Sequence, residues 1–418
     1  MLASFGIGTL AAGTELVGND HGDGNVSPPT LAGATILQIV PELRDEPVAR
    51  TAVNVASALM QSGARAIIAA EDGPLADELR ACGGEWIALT NATINPFKLR
   101  SCAHKLERLI ASERIDIVHA QSIGGAWAAN MAATQIAVWL VTTLADVPPV
   151  SGLRAYWAGS LARGDRVITP SNFAASPVMK RFELPRERLT VIPRSIDTKT
   201  FDPAAVGSAR IEALRASWRV SSNDRIVLVP GRVAPWNGQL IVPDIARILL
   251  DTGAGDFVIV MAGEHETFRK YARFIAEQAK RRGTAAFTRF AGHCPDMPAA
   301  FAAADTVLVP AIEAPVLGRV VAEAQAMGRP VVASNIGILP EHVVTPPEMP
   351  EDVRTGWLAD PGDAADFARA LGISFSLDAT AYRAMAARAR QFAEYMFSPR
   401  SIAVATRAVY TSLLARDT

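Results

Sequence analysis

The chain has 418 residues, of which 50% are hydrophobic and 20% charged; this is room for about two domains and excludes global disorder. Its net charge of −1 provides no basic field to neutralise a nucleic-acid backbone, so nucleic acid is not an expected partner and phosphate recognition has to be local. Three cysteines without CxxC spacing and six histidines give neither a disulfide framework nor a zinc site, and no metal is expected.

Residues 1–33 carry no Lys or Arg and are rich in Gly, Ala, Thr, Asn and Asp. They lack the positive start of a secretory leader and read as a flexible N-terminal tail. From there β-branched runs alternate with amphipathic stretches. Strands are predicted at Thr35–Val40, Ala66–Ala69, Trp86–Leu89 and Ile115–His119, with helices at Val48–Ser62, Leu75–Ala81 and Asn95–Ser112 between them. The uncharged run Ile117–Ala145 has the length of a bilayer span, but Gly124, Gly125, Asn130, Thr134 and Gln135 interrupt it. A strand, a helix over Ala126–Ala133 and a strand over Ala137–Thr142 fit it instead.

The rhythm restarts with the strand Arg225–Val229, the helix Leu240–Thr252 and the strand Phe257–Ala262. The helix Glu266–Arg282, the strand Thr288–Phe290, the helix Met297–Ala303 and the strand Thr306–Val309 follow, then the helix Gly318–Met327 and the strand Pro330–Ala333. This order predicts an α/β protein of two doubly wound, Rossmann-like halves with parallel sheets, at 34–205 and 206–395, followed by a C-terminal segment at 396–418. Ligands of such sheets sit outside the carboxyl ends of the strands, so two facing sheets would place a site in the cleft between them.

Two stretches of the second half carry chemistry. Val229-Pro-Gly-Arg-Val-Ala-Pro-Trp-Asn-Gly-Gln239 is a strand end, a glycine turn and a loop into a helix. Gly231 lets backbone amides approach an anion and Arg232 is suited to bidentate phosphate contacts, although an ordinary βα turn with a solvated Arg has the same pattern. In Gly318–Ala333 a helix start at Gly318, Arg319 and Val320 offers free N–H groups to a diphosphate. Glu323 lies within reach of ribose hydroxyls, or is a structural Glu of an ordinary capped helix.

Taken in order, these stretches resemble the family-four retaining glycosyltransferases of GT-B fold. The resemblance spans about 35–415 and includes His119-Ala-Gln-Ser122, Ser171-Asn-Phe173, Val191–Asp197, Gly231-Arg232, Ala291–Met297, Ala303–Pro310, Gly318–Ala333, Pro340-Glu341 and Thr355–Leu358. It is nearest to bacterial members that build envelope or capsule glycans. It implies transfer of a sugar from a nucleotide-sugar to a glycan acceptor with retention, without metal or other cofactor. The donor would bind the C-terminal domain and the acceptor the N-terminal one, with the last helix, about 400–414, crossing back to the first domain. By position Arg232 would grip the diphosphate, Gly318, Arg319 and Val320 would cap phosphate or sugar, Glu323 would bind ribose and His293 would lie near the base. A cytoplasmic protein, in peripheral contact with the inner face of a membrane, is the matching location.

Four places depart from that family. Glu46-Pro47 stands where its first strand ends in a Gly-Gly pair, and a carboxylate there repels a diphosphate by about 1 kcal/mol in water and about 4 near a protein surface at 4 Å. Ala145 occupies the place of a His beside the transferring sugar. Asn237 replaces a Lys on the diphosphate, and Pro315 replaces the first of two paired Glu. Ser195 and Ile338 also stand at usual glycine positions. Two readings follow: an active transferase with a remodelled donor site and an unassigned catalytic group, or an inactive pseudo-enzyme that binds a protein partner or glycan within an assembly.

Overall fold

The computed structural model describes residues 31–91, 95–144 and 157–416, so most of the expected tail, and Ala145, lie outside the described residues. The chain divides into two compact units, the first running to Ser195 and resuming at Pro399, the second spanning Ile196–Ser398.

The first unit is built on a parallel sheet of β1 (Thr35–Glu42), β2 (Arg65–Glu71), β3 (Glu85–Ala88), β4 (Ile117–Ala120), β5 (Trp139–Thr143), β6 (Arg166–Thr169) and β7 (Leu189–Val191). Its order is β3-β2-β1-β4-β5-β6-β7. The continuous apolar runs follow from burial on both faces. Ile36 and Val40 of β1 pack with Ala52, Ala56 and Leu59 of the helix Pro47–Gln61, whereas Leu37 and Ile39 point the other way, onto Leu106 and Ala129. The last helix, Pro399–Leu414, belongs to this unit: its fully buried Tyr410 and Leu413 lie in the same core as Ala52 and Leu59. Small alanines along Pro47–Gln61 let the two helices approach, and each buried Leu-sized side chain contributes about 1.5–3 kcal/mol.

The second unit has a six-stranded parallel sheet of β8 (Arg225–Pro230), β9 (Phe257–Ala262), β10 (Thr288–Gly292), β11 (Thr306–Val309), β12 (Val331–Ser334) and β13 (Gly356–Ala359). Its order is β10-β9-β8-β11-β12-β13. Here too alternate residues serve opposite cores, Ile226 and Leu228 on one side and Val227 and Val229 on the other.

The periodic segments form close to where the sequence places them. The chain passes from one unit to the other at Ser195/Ile196, short of the 205/206 expected from polarity. Ile196, Phe201 and Val206 are buried in the second core, and the Ile196 N–H donates to the Phe397 carbonyl (2.9 Å). The strands β6, β7 and β13 and the helices Asn172–Phe182, Ser208–Ser217, Ala364–Ser376 and Ala379–Phe397 complete the layers without having stood out by period. Several motif residues are structural. Ser122 and Ser171 cap helices by accepting the Gly125 and Ala174 N–H groups, and Asp296 caps Met297–Ala303 while holding Arg210.

Candidate functional site

In the second unit the chain winds from β8 outward to β10, then lays β11 against the other side of β8, so the carboxyl ends of β8 and β11 flank a topological switch point. Both phosphate-binding candidates leave from these ends. After β8, the Gly231 N–H donates to the Ala262 carbonyl (2.9 Å) and Arg232 projects with its side chain 55% exposed. Arg232 Nε lies 3.4 Å from Oε2 of Glu264, an ion pair without hydrogen-bond geometry. The Thr267 N–H donates to the other Glu264 oxygen (2.6 Å); this bond first, and the Arg232 charge after it, holds the Glu264 carboxyl below its ordinary range. Arg232 is therefore a cation on a loose tether.

Asn237 does not point outward in place of a lysine. Its amide donates to the Arg232 carbonyl at 2.8 Å, and Gln239 donates to the same oxygen at 2.9 Å, so the two side chains brace the loop that carries Arg232. The Trp236 carbonyl accepts from Ile312 and Glu313 N–H groups (3.0 and 3.2 Å), joining this loop to the one after β11. Gly238 makes the approach possible: its φ is +71°, and a Cβ there would lie 1.8 Å from the Pro310 oxygen. Pro315 is likewise built into the backbone, its carbonyl accepting the Ile338 N–H at 3.2 Å, while Glu313 is exposed.

Gly318 caps the helix Arg319–Ala326 with φ +54°, and its carbonyl accepts from the Val321 and Ala322 N–H groups at 3.1 and 3.2 Å. The first-turn N–H groups of Arg319 and Val320 have no intrahelical acceptor. Glu323, the residue suggested for ribose, has one of its two carboxylate oxygens engaged. It is 6% exposed, and Oε1 is held 2.5 Å from Nε of Arg319 one turn earlier. Burial pushes its carboxyl up, and Arg319 opposes that shift. Beneath Gly318 lies His342, which the sequence reading passed over; it follows Pro340-Glu341 by one place. Its Nδ1 is 3.2 Å from the Gly318 oxygen, and burial pushes the imidazole down to about 4.

His293 is exposed on the loop after β10. His265 precedes the helix Arg269–Arg281, its ring stands 5.9 Å from Phe290, and Nδ1 is enclosed without a hydrogen bond.

In the first unit Glu46 and Pro47 open the helix Pro47–Gln61, with Pro47 in its first turn and no side-chain cap from Glu46. The basic residues around them are committed: Arg44 pairs with Glu42, and Arg50 with Asp45 and Glu78. A cavity of about 70 Å³ lies by the carboxyl ends of the strands, lined among others by Pro47, Thr51, His119, Thr143 and Ser195. Thr51 Oγ1 and Ser195 Oγ are 3.1 Å apart, so Ser195 ties its turn to the helix. His119 is buried between Tyr410 Oη on Nδ1 and Thr143 Oγ1 on Nε2, both at 2.7 Å, and desolvation pushes it down to about 3. Among the described residues no group of three or more His, Cys, Asp or Glu is placed to hold a metal. No helix among them is long and apolar enough to cross a membrane.

Residues 48–200 match the family model described as Glycosyltransferase Family 4, and residues 224–373 match that of Glycosyl transferases group 1. A D-inositol 3-phosphate glycosyltransferase of Streptomyces avermitilis is 29% identical over 260 residues, 61% of this chain and 53% of that protein. The namesake from Salinispora tropica is 30% identical over 55% of this chain and 47% of its own length. The chain thus spans about half the length of the curated relatives it matches. A crystal structure of a glycosyltransferase from Rickettsia africae superposes with a TM-score of 0.73 at 25% identity, covering 91% of this chain and 99% of that one. Anabaena HepE in complex with UDP and glucose shares the fold (TM-score 0.65, 21% identity, 91% and 100% coverage). The chain carries a glycosyltransferase family 4 domain in its first unit and a glycosyl transferases group 1 domain in its second, on the two Rossmann-like sheets of GT-B glycosyltransferase structures.

Proposed function

We propose that this chain transfers a sugar, with retention, from a nucleoside diphosphate sugar to a neutral glycan hydroxyl of an envelope or capsule polymer. One observation carries the donor side: Arg232 and the Gly318 turn, both within the segment matching the group 1 model, leave the adjacent ends of β8 and β11. A diphosphate would take Arg232 from Glu264 and accept the N–H groups of Arg319 and Val320, so that side chains and a helix start supply the positive charge that a metal would otherwise bring. Oε2 of Glu323 is the atom left for a ribose hydroxyl once Arg319 holds Oε1. UDP is the first nucleotide to test, since HepE is described with it.

The acceptor side rests on charge. Two matched relatives are named for D-inositol 3-phosphate. Here Glu46 stands at the helix start with Arg44 and Arg50 already ion-paired, so a phosphorylated acceptor meets net negative charge. At 4 Å the repulsion is about 4 kcal/mol near a protein surface, which favours an uncharged hydroxyl.

A non-catalytic binding role is the second reading, favoured by Asn237 and Pro315, whose polar groups serve the backbone. Release of nucleoside diphosphate from a panel of nucleotide-sugars separates the two. The transferase reading expects release from one donor, faster with a neutral glycan than with an inositol phosphate. Tight nucleotide binding with no release from any donor would favour the binding role.

A further inference from the structure

His342 is 4% exposed at the end of the short helix Leu339–His342, its ring 4.6 Å from that of Phe397. A leucine would fill this place against Phe397 with no polar group to desolvate. What histidine adds is a single donor aimed at one oxygen, the Gly318 carbonyl, 3.2 Å from Nδ1. That carbonyl already receives Val321 and Ala322, so His342 is its third donor. The same residue is fastened to the helix a second time, because its own carbonyl accepts Nε2 of Gln325 at 2.5 Å. The fit is reciprocal: a Cβ on Gly318 would lie 2.4 Å from Nδ1 and 2.6 Å from Cε1.

The geometry has a consequence for the helix start. In a trans peptide the C=O and N–H point in opposite directions, so drawing the Gly318 oxygen inward turns the Arg319 N–H outward. Gly318 sits at φ +54°, ψ 16°, and a glycine there has other conformations open to it. We propose that His342 is a positioning residue of the donor site, clamping the Gly318–Arg319 peptide so that the Arg319 and Val320 N–H groups stay aimed at the diphosphate. This rests on the donor-site reading above.

The test is calorimetric titration of wild type, His342→Leu and His342→Asn with UDP, GDP and ADP and with the corresponding nucleosides. Leucine keeps volume and removes the donor; asparagine returns an amide N–H near the position of Nδ1. For whichever nucleotide binds, His342→Leu weakens the diphosphate about tenfold, the effect of one hydrogen bond, and leaves the nucleoside unchanged. His342→Asn recovers most of that loss. An unchanged diphosphate affinity in His342→Leu, or an equal loss for nucleoside and diphosphate, overturns the proposal and leaves the donor site standing. Absence of nucleotide binding by the wild type overturns the donor reading and this proposal together. Should His342→Leu not fold, long-range ¹H–¹⁵N correlation on the wild type decides. A proton on Nδ1, with a shift when UDP is added, is expected, and a proton on Nε2 alone refutes the clamp.

Discussion

Among the described residues each unit buries one histidine in the neutral state, so each should lose stability in mild acid. His119 in the first unit and His342 in the second are pushed down by desolvation, to about 3 and about 4, from 6.5 in the unfolded chain. A depressed imidazole means that the unfolded state binds the proton first. The stabilisation is complete above 6.5 and is lost as pH falls from there toward the folded values. Between pH 7 and 5 both folded imidazoles stay neutral while the unfolded ones charge, which costs about 2 kcal/mol per unit at about 1.36 kcal/mol per pH unit. The lowered carboxyls, such as those of Asp296, Glu351 and Asp378, contribute only below their unfolded values near 4, outside this window, whereas Glu323, pushed up by burial, binds a proton more readily in the folded second unit and offsets part of the loss there. Urea unfolding read by pulse proteolysis, with peptides assigned to each unit, measures both losses separately. His342→Asn should abolish the loss in the second unit and leave that of the first intact. Equal stability at pH 7 and pH 5, or an acid loss in the second unit that survives His342→Asn, would refute the reasoning.

Three further substitutions have definite signs. Tyr410→Phe takes a hydroxyl from the buried His119 Nδ1 and leaves that nitrogen unpaired. The cost expected is about 1–3 kcal/mol, seen by urea unfolding in the first unit and absent from nucleotide binding. Gly318→Ala puts a methyl 2.4 Å from His342 Nδ1 at a positive φ. It should destabilise the second unit by more than the roughly 1–2 kcal/mol of the left-handed backbone alone and abolish nucleotide binding, as calorimetry would report. Asn237→Lys removes one of two braces on the Arg232 carbonyl but adds a cation. With Gln239 still in place, binding of the diphosphate should tighten by about 1.5–3 kcal/mol; weaker binding would mean that the brace matters more than the charge.

The alternation of apolar runs was enough to read most strands of both sheets, because strands buried on two faces have to be continuous in Ile, Val and Ala. Edge strands such as β7, only three residues long, leave no such trace. The backbone settings of Arg232, Gly318 and Glu323 were legible because a strand end, a glycine and a helix start are local events. Whether Glu323 is open or closed was not, since burial and the Arg319 bond arise only when the helix packs. Asn237 reads as a lost cation in the sequence and is a loop brace in the structure, because its acceptor is the backbone of Arg232. His342 was hidden for a related reason: its partner Gly318 is 24 residues away. His119 sat inside a quoted motif, yet its burial depends on Tyr410 in the last helix, 291 residues on.

The donor site is tested most directly by calorimetric titration of the intact protein with UDP, GDP and ADP, beside Arg232→Ala. Micromolar binding of one nucleotide, weakened by at least the roughly 1.5–3 kcal/mol of a charge-assisted contact in Arg232→Ala, is the expected result. No binding of any of the three at millimolar concentration, or binding indifferent to Arg232, would contradict it.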